Sequence, residues 1–199
     1  MSELLKGVKV LEIANWVAAP SACSILADLG AEVTKIEHPE TGDPVRSIAV
    51  TPEGIITSDS DDENTSFEQL NRGKKSVGIN LGSTYGQQIV RKLVESVDIV
   101  VTNLVPERQG KYHLTYEDCL TANPQIIYVA LTGYGTKGEE RDRLGFDYAA
   151  FWARSGIMGS IGNEGESPAQ QRPGMGAVSY THLRAHETRH DLVCRLLLE

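Results

Sequence analysis

Three groups of residues in this chain have the types and spacing to do chemistry. The first is His186-Glu187-Thr188-Arg189-His190, two imidazoles one helical turn apart with a carboxylate between them. That pattern suits a divalent metal and a water activated on it. His182 and Cys194 extend the same face at spacings of four. Against a zinc hydrolase built on His186, Glu187 and His190, Arg184 and Arg189 bring like charge to the cation. The chain also reaches Glu199 with little room for a third ligand and a substrate cleft. The second group is Arg72, Lys74 and Lys75, cations placed just ahead of a β-rich run. Such a run is either a solvated charged turn or a loop that faces phosphates, since a multiply phosphorylated ligand needs Lys or Arg partners. The third group follows apolar runs: residues 15–18, His38, Asn103-Leu104 and Gly133-Tyr134.

The elements that must position these residues alternate in type. Residues 8–13 (Val-Lys-Val-Leu-Glu-Ile) read as a strand. Pro20 suits the first turn of a following helix, Ile25, Leu26 and Leu29 give that helix its apolar stripe, and Gly30 caps it. Residues 31–37 read as the next strand, so the unit is a parallel pair with a right-handed crossover. Further strands are expected at 76–80, 98–102 and 126–132, the last two buried on both faces. Helices are expected at 85–97 and 116–122, and surface loops at 58–64 and 137–143. This alternation points to an α/β fold, a Rossmann-like doubly wound parallel sheet. Ligands of such sheets sit at the carboxyl ends of the strands, which gathers the third group along one edge. The turn at residues 14–20 lacks the Gly-x-Gly-x-x-Gly that brings a backbone against a pyrophosphate, and Trp16 and Val17 stand in its way, which argues against dinucleotide binding.

Composition narrows the field. The 199 residues are 40% hydrophobic and 23% charged, with a net charge of −8, an ordinary globular balance without the basic face of a nucleic-acid binder. No apolar run approaches the roughly 18 residues that span a bilayer, and no signal core opens the chain, so a cytoplasmic protein is expected. The three scattered cysteines, Cys23, Cys119 and Cys194, fit reduced thiols there.

Several stretches, in order, resemble the class III CoA transferases, the family of formyl-CoA:oxalate CoA transferase and its carnitine and bile-acid relatives. They are Gly7-Val8-Lys9-Val10-Leu11-Glu12, residues 29–37, 71–81 and 98–106, Asn123-Pro124 with the strand after it, and Gly145-Phe146-Asp147. The resemblance runs over roughly residues 3–176 and implies an N-terminal half of a longer chain, with the sheet incomplete. It implies coenzyme A or an acyl-CoA as substrate, with a free carboxylic acid as co-substrate, and no permanently bound cofactor. The matching positions are Val17 and Ala18 against CoA, His38 and Lys75 on its nucleotide and phosphates, Ile79 and Asn80 beside adenine, Asn103 and Leu104 along the CoA arm, and Lys111 near the phosphates. Asp147 matches an acid beside the catalytic group.

The resemblance also implies a nucleophilic Asp shortly after a Gly-rich turn, which attacks the acyl-CoA thioester to give a mixed anhydride and then an enzyme-bound CoA thioester. Arg172-Pro173-Gly174-Met175-Gly176 looks like the run into that turn, yet Ala177-Val178-Ser179-Tyr180 follows and no Asp occurs between Asp147 and Asp191. Residues 1–177 are therefore expected to be the first part of the CoA-binding domain, and residues 178–199 a tail not native to it. The family's racemase branch places a His where Phe146 stands, and Phe146 exchanges no proton, so CoA transfer is the reading preferred over 2-methylacyl-CoA racemisation. The family's interlocked homodimers are the implied assembly.

Overall fold

The computed structural model describes residues 3–51, 54–57, 64–146, 148–161 and 165–166. The chain divides into two compact units, residues 1–144 and 145–199. In the first, β1 (Lys9–Ile13), β2 (Glu32–Glu37), β5 (Lys75–Gly78), β6 (Ile99–Thr102) and β7 (Ile127–Ala130) form one sheet in the order β5-β2-β1-β6-β7. Every pairing in it is parallel. Between β1 and β2 runs α1 (Ala18–Asp28), between β5 and β6 runs α3 (Thr84–Val94), and between β6 and β7 run α4 (Pro106–Lys111) and α5 (Tyr116–Ala122). A hairpin, β3 (Ile48–Thr51) and β4 (Gly54–Thr57), and α2 (Thr65–Asn71) fill the connection from β2 to β5. Sheet growth reverses between β1 and β6, the point where an open α/β sheet leaves a crevice at its carboxyl edge.

Side chains alternate along each strand, so the sheet carries two cores. Leu11, Ile13, Ile36 and Val100 face α3 and α5 and meet Val90, Val94 and Cys119. Val10, Ala14, Val33 and Val101 face α1 and meet Ala19 and Cys23. β6 is enclosed on both faces, as its unbroken apolar run predicts. Gly30, at φ +102°, takes the left-handed conformation that ends α1, with Ala31 N–H donating back to Leu26 O at 3.0 Å.

Three sequence expectations need correction. The buried face of α1 is Ala19, Pro20, Cys23 and Ser24, while Ile25 is 55% exposed. Small residues let the helix approach the sheet closely, and Ile25 projects from the other side. β7 is not enclosed on both faces: Ile127 is 57% and Val129 38% exposed, because this strand is the sheet's edge. The helix expected over 85–97 ends at Val94. Val97 stays in the core after the helix has stopped, which prolonged the apolar period. The sequence reading also did not anticipate the β3–β4 hairpin, α2 or α4. The loop at 137–143 is confirmed.

In the second unit, a single wide turn at Tyr148–Ala153 brings Phe151 and Trp152 edge to face, 5.2 Å apart, and α6 (Ile157–Ser160) follows. Asp147, the Gly-rich run at 172–176 and the tail at 178–199, with the His186/Glu187/His190 group and the expected break after residue 177, lie outside the described residues. Among the described residues no helix is long and apolar enough to cross a membrane.

The corrected packing of α1 gives a direct test by urea denaturation. Leu11→Ala, at a fully buried site, is expected to cost about 2–5 kcal/mol. Ile25→Ala is expected to cost less than about 0.5 kcal/mol, and a cost near that of Leu11→Ala would return Ile25 to the core.

Candidate ligand site at the carboxyl edge of the sheet

The site is built around the turn that leads from β1 into α1. Asn15 N–H donates to Asn103 Oδ1 at 3.1 Å, and Asn103 Nδ2 donates to Asn15 O at 2.7 Å. This reciprocal pair bridges the ends of β1 and β6 at the reversal point of the sheet. Thr102 Oγ1 donates to Ile13 O, which joins the two strand ends once more, and accepts from Leu104 N–H, which fixes the turn after β6. Trp16 sits at φ +70°, a left-handed conformation that costs a non-glycine residue on the order of 1–3 kcal/mol. Its N–H donates to Asp43 Oδ1 at 3.2 Å. Val17 is half-buried and Ala18 exposed, and α1 starts there with no side-chain cap and no acid in its first turn.

Under α1 lies a buried ionic cluster. Glu12 on β1 and Lys35 on β2 are direct register partners. Lys35 Nζ meets Glu12 Oε1 at 2.7 Å, Asp43 Oδ2 at 2.9 Å and Ala14 O at 2.8 Å. Lys74 Nζ meets Glu12 Oε2 at 2.7 Å, Pro20 O and Leu70 O at 2.8 Å each, and Asn71 Oδ1 at 3.1 Å. Burial opposes the charge on Lys35, but Glu12 and Asp43 more than offset it and its pKa rises. Burial dominates at Lys74 and lowers its pKa despite Glu12. Burial, and then Glu12, push the Cys23 thiol up to about 12, so it stays protonated and inert as a nucleophile.

A second pair extends the cluster. Arg46 Nε and Nη2 hold Glu37 at 2.7 and 2.8 Å, Ser76 Oγ donates to the same carboxylate, and so does Asp43 N–H at 2.8 Å. Arg46 also stacks 3.9 Å over Phe67. Gly42 makes the turn possible: at φ +62°, an added Cβ there would lie 2.7 Å from Arg46 Cδ.

The residues expected from the sequence are partly brought together. Val17, Ala18, His38, Asn80, Asn103 and Leu104 all follow the carboxyl ends of parallel strands. His38 is exposed and its Nδ1 accepts from Glu40 and Thr41 N–H at 3.4 Å. Asn80 is exposed and shapes its own turn, accepting from Gly82 N–H at 2.8 Å. Ile79 is 6% exposed and sits in the core below that edge. Leu104 is half-buried against the same core. Lys111 is exposed at the far end of α4, 5.9 Å from the Tyr112 ring centre. Lys75 is not brought to this edge: its Nζ lies 3.7 Å from Glu32, the first residue of β2, on the amino side of the sheet. Arg72 pairs with Asp28 and Lys74 turns inward, so the three adjacent cations go three ways. Glu12, Lys35, Asp43 and Glu37 were not singled out from the sequence. The available signal was a charged residue in the middle of each of two apolar strand runs.

Two outcomes test this cluster. Arg46, Ser76 and the Asp43 amide outweigh burial at Glu37 and lower its pKa from 4.5 to about 2. The native chain thus keeps a charge that the unfolded chain surrenders first as pH falls. The resulting stability is complete above about pH 4.5 and is lost as pH drops toward 2, and Glu37→Gln should flatten that part of the stability curve. Glu12→Gln strips both lysines of their shared partner and is expected to cost about 3–5 kcal/mol in chemical denaturation.

Solved structures share this architecture. A structure of an aspartate-to-alanine mutant from Mycobacterium tuberculosis superposes with a TM-score of 0.78 at 30% identity, over 98% of this chain and 50% of that one. A CAIB/BAIF family protein from Brucella suis gives 0.70 at 29% identity, over 97% and 51%. Among curated relatives, the cinnamoyl-CoA:phenyllactate CoA-transferase of Clostridium sporogenes is 39% identical over 175 residues, 88% of this chain and 42% of that protein. The (R)-2-hydroxy-4-methylpentanoate CoA-transferase of Clostridioides difficile is 42% identical over 87% of this chain and 42% of its own length. The succinyl-CoA:glutarate CoA-transferase of Mus musculus is 40% identical over 86% and 37%. The chain therefore spans about two-fifths of the length of these curated relatives. The family model for CoA-transferase family III matches residues 5–188, and the chain belongs to that family.

Proposed function

We propose that this chain is the CoA-binding part of an enzyme that moves CoA from an acyl-CoA to a free carboxylic acid. The observation that carries the reading is the turn at residues 15–18, locked to Asn103 at the sheet's reversal point and opening onto the uncapped start of α1. Backbone N–H groups at such a helix start favour anionic or carbonyl oxygen. Val17, Ala18, Asn103 and Leu104 are assigned to the CoA arm, His38 and Asn80 to its nucleotide end, and Lys111 to its phosphates. Ile79 supports the Asn80 turn from the core beneath. Lys75 is left outside the site by its approach to Glu32.

The chemistry assigned to the whole enzyme is covalent, through a carboxylate that attacks the thioester carbonyl. This sequence has Ala177 where that Asp is expected, and Asp147 is assigned a supporting role, so the chain as it stands is expected to be inactive. Phenyllactate and 2-hydroxy-4-methylpentanoate, for which two relatives are named, are both 2-hydroxy acids and lead the panel of acceptors to be tried.

Titration calorimetry with CoA tests the binding. The reading expects measurable affinity that falls as salt rises, because exposed charge pairs are screened. Lys111→Ala is expected to weaken CoA several-fold and Lys75→Ala to leave it unchanged. An effect of Lys75→Ala equal to that of Lys111→Ala would put Lys75 back among the phosphate partners. Incubation with acyl-CoA donors and the 2-hydroxy acids, succinate or glutarate should give no turnover above background; turnover would remove the argument from Ala177.

A further inference from the structure

The turn that opens onto α1 holds a conformation its residue type resists. Trp16 is left-handed at φ +70°, where its Cβ crowds the backbone, a state that Gly and Asn enter far more readily. A residue in this position persists only where its surroundings over-determine it. Asp43 supplies the restraint. It is fully buried in the loop after β2, and its Oδ1 accepts from Trp16 N–H at 3.2 Å and Val45 N–H at 3.1 Å. Its Oδ2 lies 2.9 Å from Lys35 Nζ, which also holds Ala14 O on the near side of the turn. Its own N–H is fixed by Glu37 Oε2. Lys74 holds Pro20 O on the far side.

We infer that Asp43 is a positioning residue: it holds Trp16 in the left-handed state and so sets the direction of the Val17 and Ala18 backbone at the start of α1. The consequence for ligand affinity rests on the reading of that backbone as the CoA contact, while the consequence for the turn does not. Asp43 touches no substrate; it acts through the conformation of residue 16. Both carboxylate oxygens of Asp43 face donors, so Asn in its place offers its single oxygen either to Trp16 N–H or to Lys35 Nζ and sets a donor NH2 against the other; with the oxygen drawn to the Lys35 charge, Trp16 N–H loses its acceptor.

The test uses the full chain and three variants, D43N, W16G and D43N/W16G, with V94A as a control that weakens the opposite core without touching the turn. Amide hydrogen exchange is read at residues 16–18 relative to β6, alongside CoA affinity by calorimetry. D43N is expected to speed exchange at 16–18 roughly tenfold, the scale of releasing one left-handed residue, and to weaken CoA by a similar factor. In the W16G background, where glycine accepts positive φ freely, the effect of D43N on exchange should fall below about threefold. Unchanged exchange in D43N, an equal effect from V94A, or an undiminished effect of D43N in the W16G background would each overturn the assignment. Should D43N fail to fold, D43N/W16G decides the matter. It folds if Asp43 serves the left-handed residue, and its failure to fold would show that Asp43 is needed for Lys35 or Val45 N–H instead and would overturn the assignment. Absence of CoA binding by the unsubstituted chain defeats the CoA reading alone, since the exchange rates judge Asp43 without it.

Discussion

Lys35 and Lys74 are held out of water beneath α1 against Glu12 and Asp43, and the site depends on that arrangement. Removing an ion from water costs several kcal/mol even after the protein relaxes. The cost is offset here because both ammonium groups find several oxygens: Lys35 meets two carboxylates and the carbonyl of Ala14, and Lys74 meets one carboxylate, two carbonyls and an amide oxygen. An apolar cluster of the same volume would fill the space as well. It would not fix a direction, since hydrophobic contact has none. The ionic cluster fixes Ala14 O and Pro20 O, the two carbonyls that flank the turn at residues 15–18.

The geometry of the carboxyl edge follows. β1 and β6 are neighbours in the sheet, and both connections from them leave at the same edge, in opposite directions. Asn15 and Asn103 close that gap with a reciprocal pair of hydrogen bonds. α1 is drawn close by Ala19 and Cys23, whose small side chains allow it. The loop after β2 is tied down by Glu37 and Arg46, and Asn64 reinforces it, with Nδ2 donating to Val45 O and Ile48 O while Oδ1 caps α2. The loops after β1, β2 and β6 are thus each held by buried or half-buried polar groups. The precision that an α/β fold normally gets from glycines around a phosphate comes here from side-chain hydrogen bonds.

This arrangement also explains why the cluster at Arg72, Lys74 and Lys75 does not behave as one. Adjacent strand residues point to opposite faces, and a residue ahead of a strand points where its turn sends it. Lys74, just before β5, reaches under α1. Lys75, the first residue of β5, has its charge over Glu32 at the other end of the neighbouring strand. The three cations therefore take three separate partners, Asp28, Glu12 and Glu32, and do not converge on one surface.

Much of the fold was legible in the amino-acid order, because local periodicity records burial. The runs at 8–13, 31–37 and 98–102 alternate with helical spacings, and that alternation alone implies a parallel sheet with helices on its faces. The same alternation carries the expectation that residues 15–18, His38, Asn103-Leu104 and Gly133-Tyr134 share the carboxyl edge. Position in a strand was less legible. Ile127 and Val129 are as apolar as Val100 and Val101, yet two are exposed and two are enclosed, because only the order of strands makes β7 an edge. The same limit hid Ile25, whose apolar character says nothing about which side of α1 meets the sheet. Least legible was the ionic cluster. Glu12, Lys35, Asp43 and Lys74 are scattered along the chain, and no local pattern joins them. Their partnership exists because parallel pairing sets Glu12 beside Lys35 and because the loop and helix that follow bring Asp43 and Lys74 to the same desolvated space. The sequence by itself determined the alternation of the parallel strands with α1, α3 and α5, and the family; which charges are buried, which way Trp16 turns and where the three cations go were decided only by tertiary packing, since burial and electrostatic pairing are properties of neighbours in space and not in the chain.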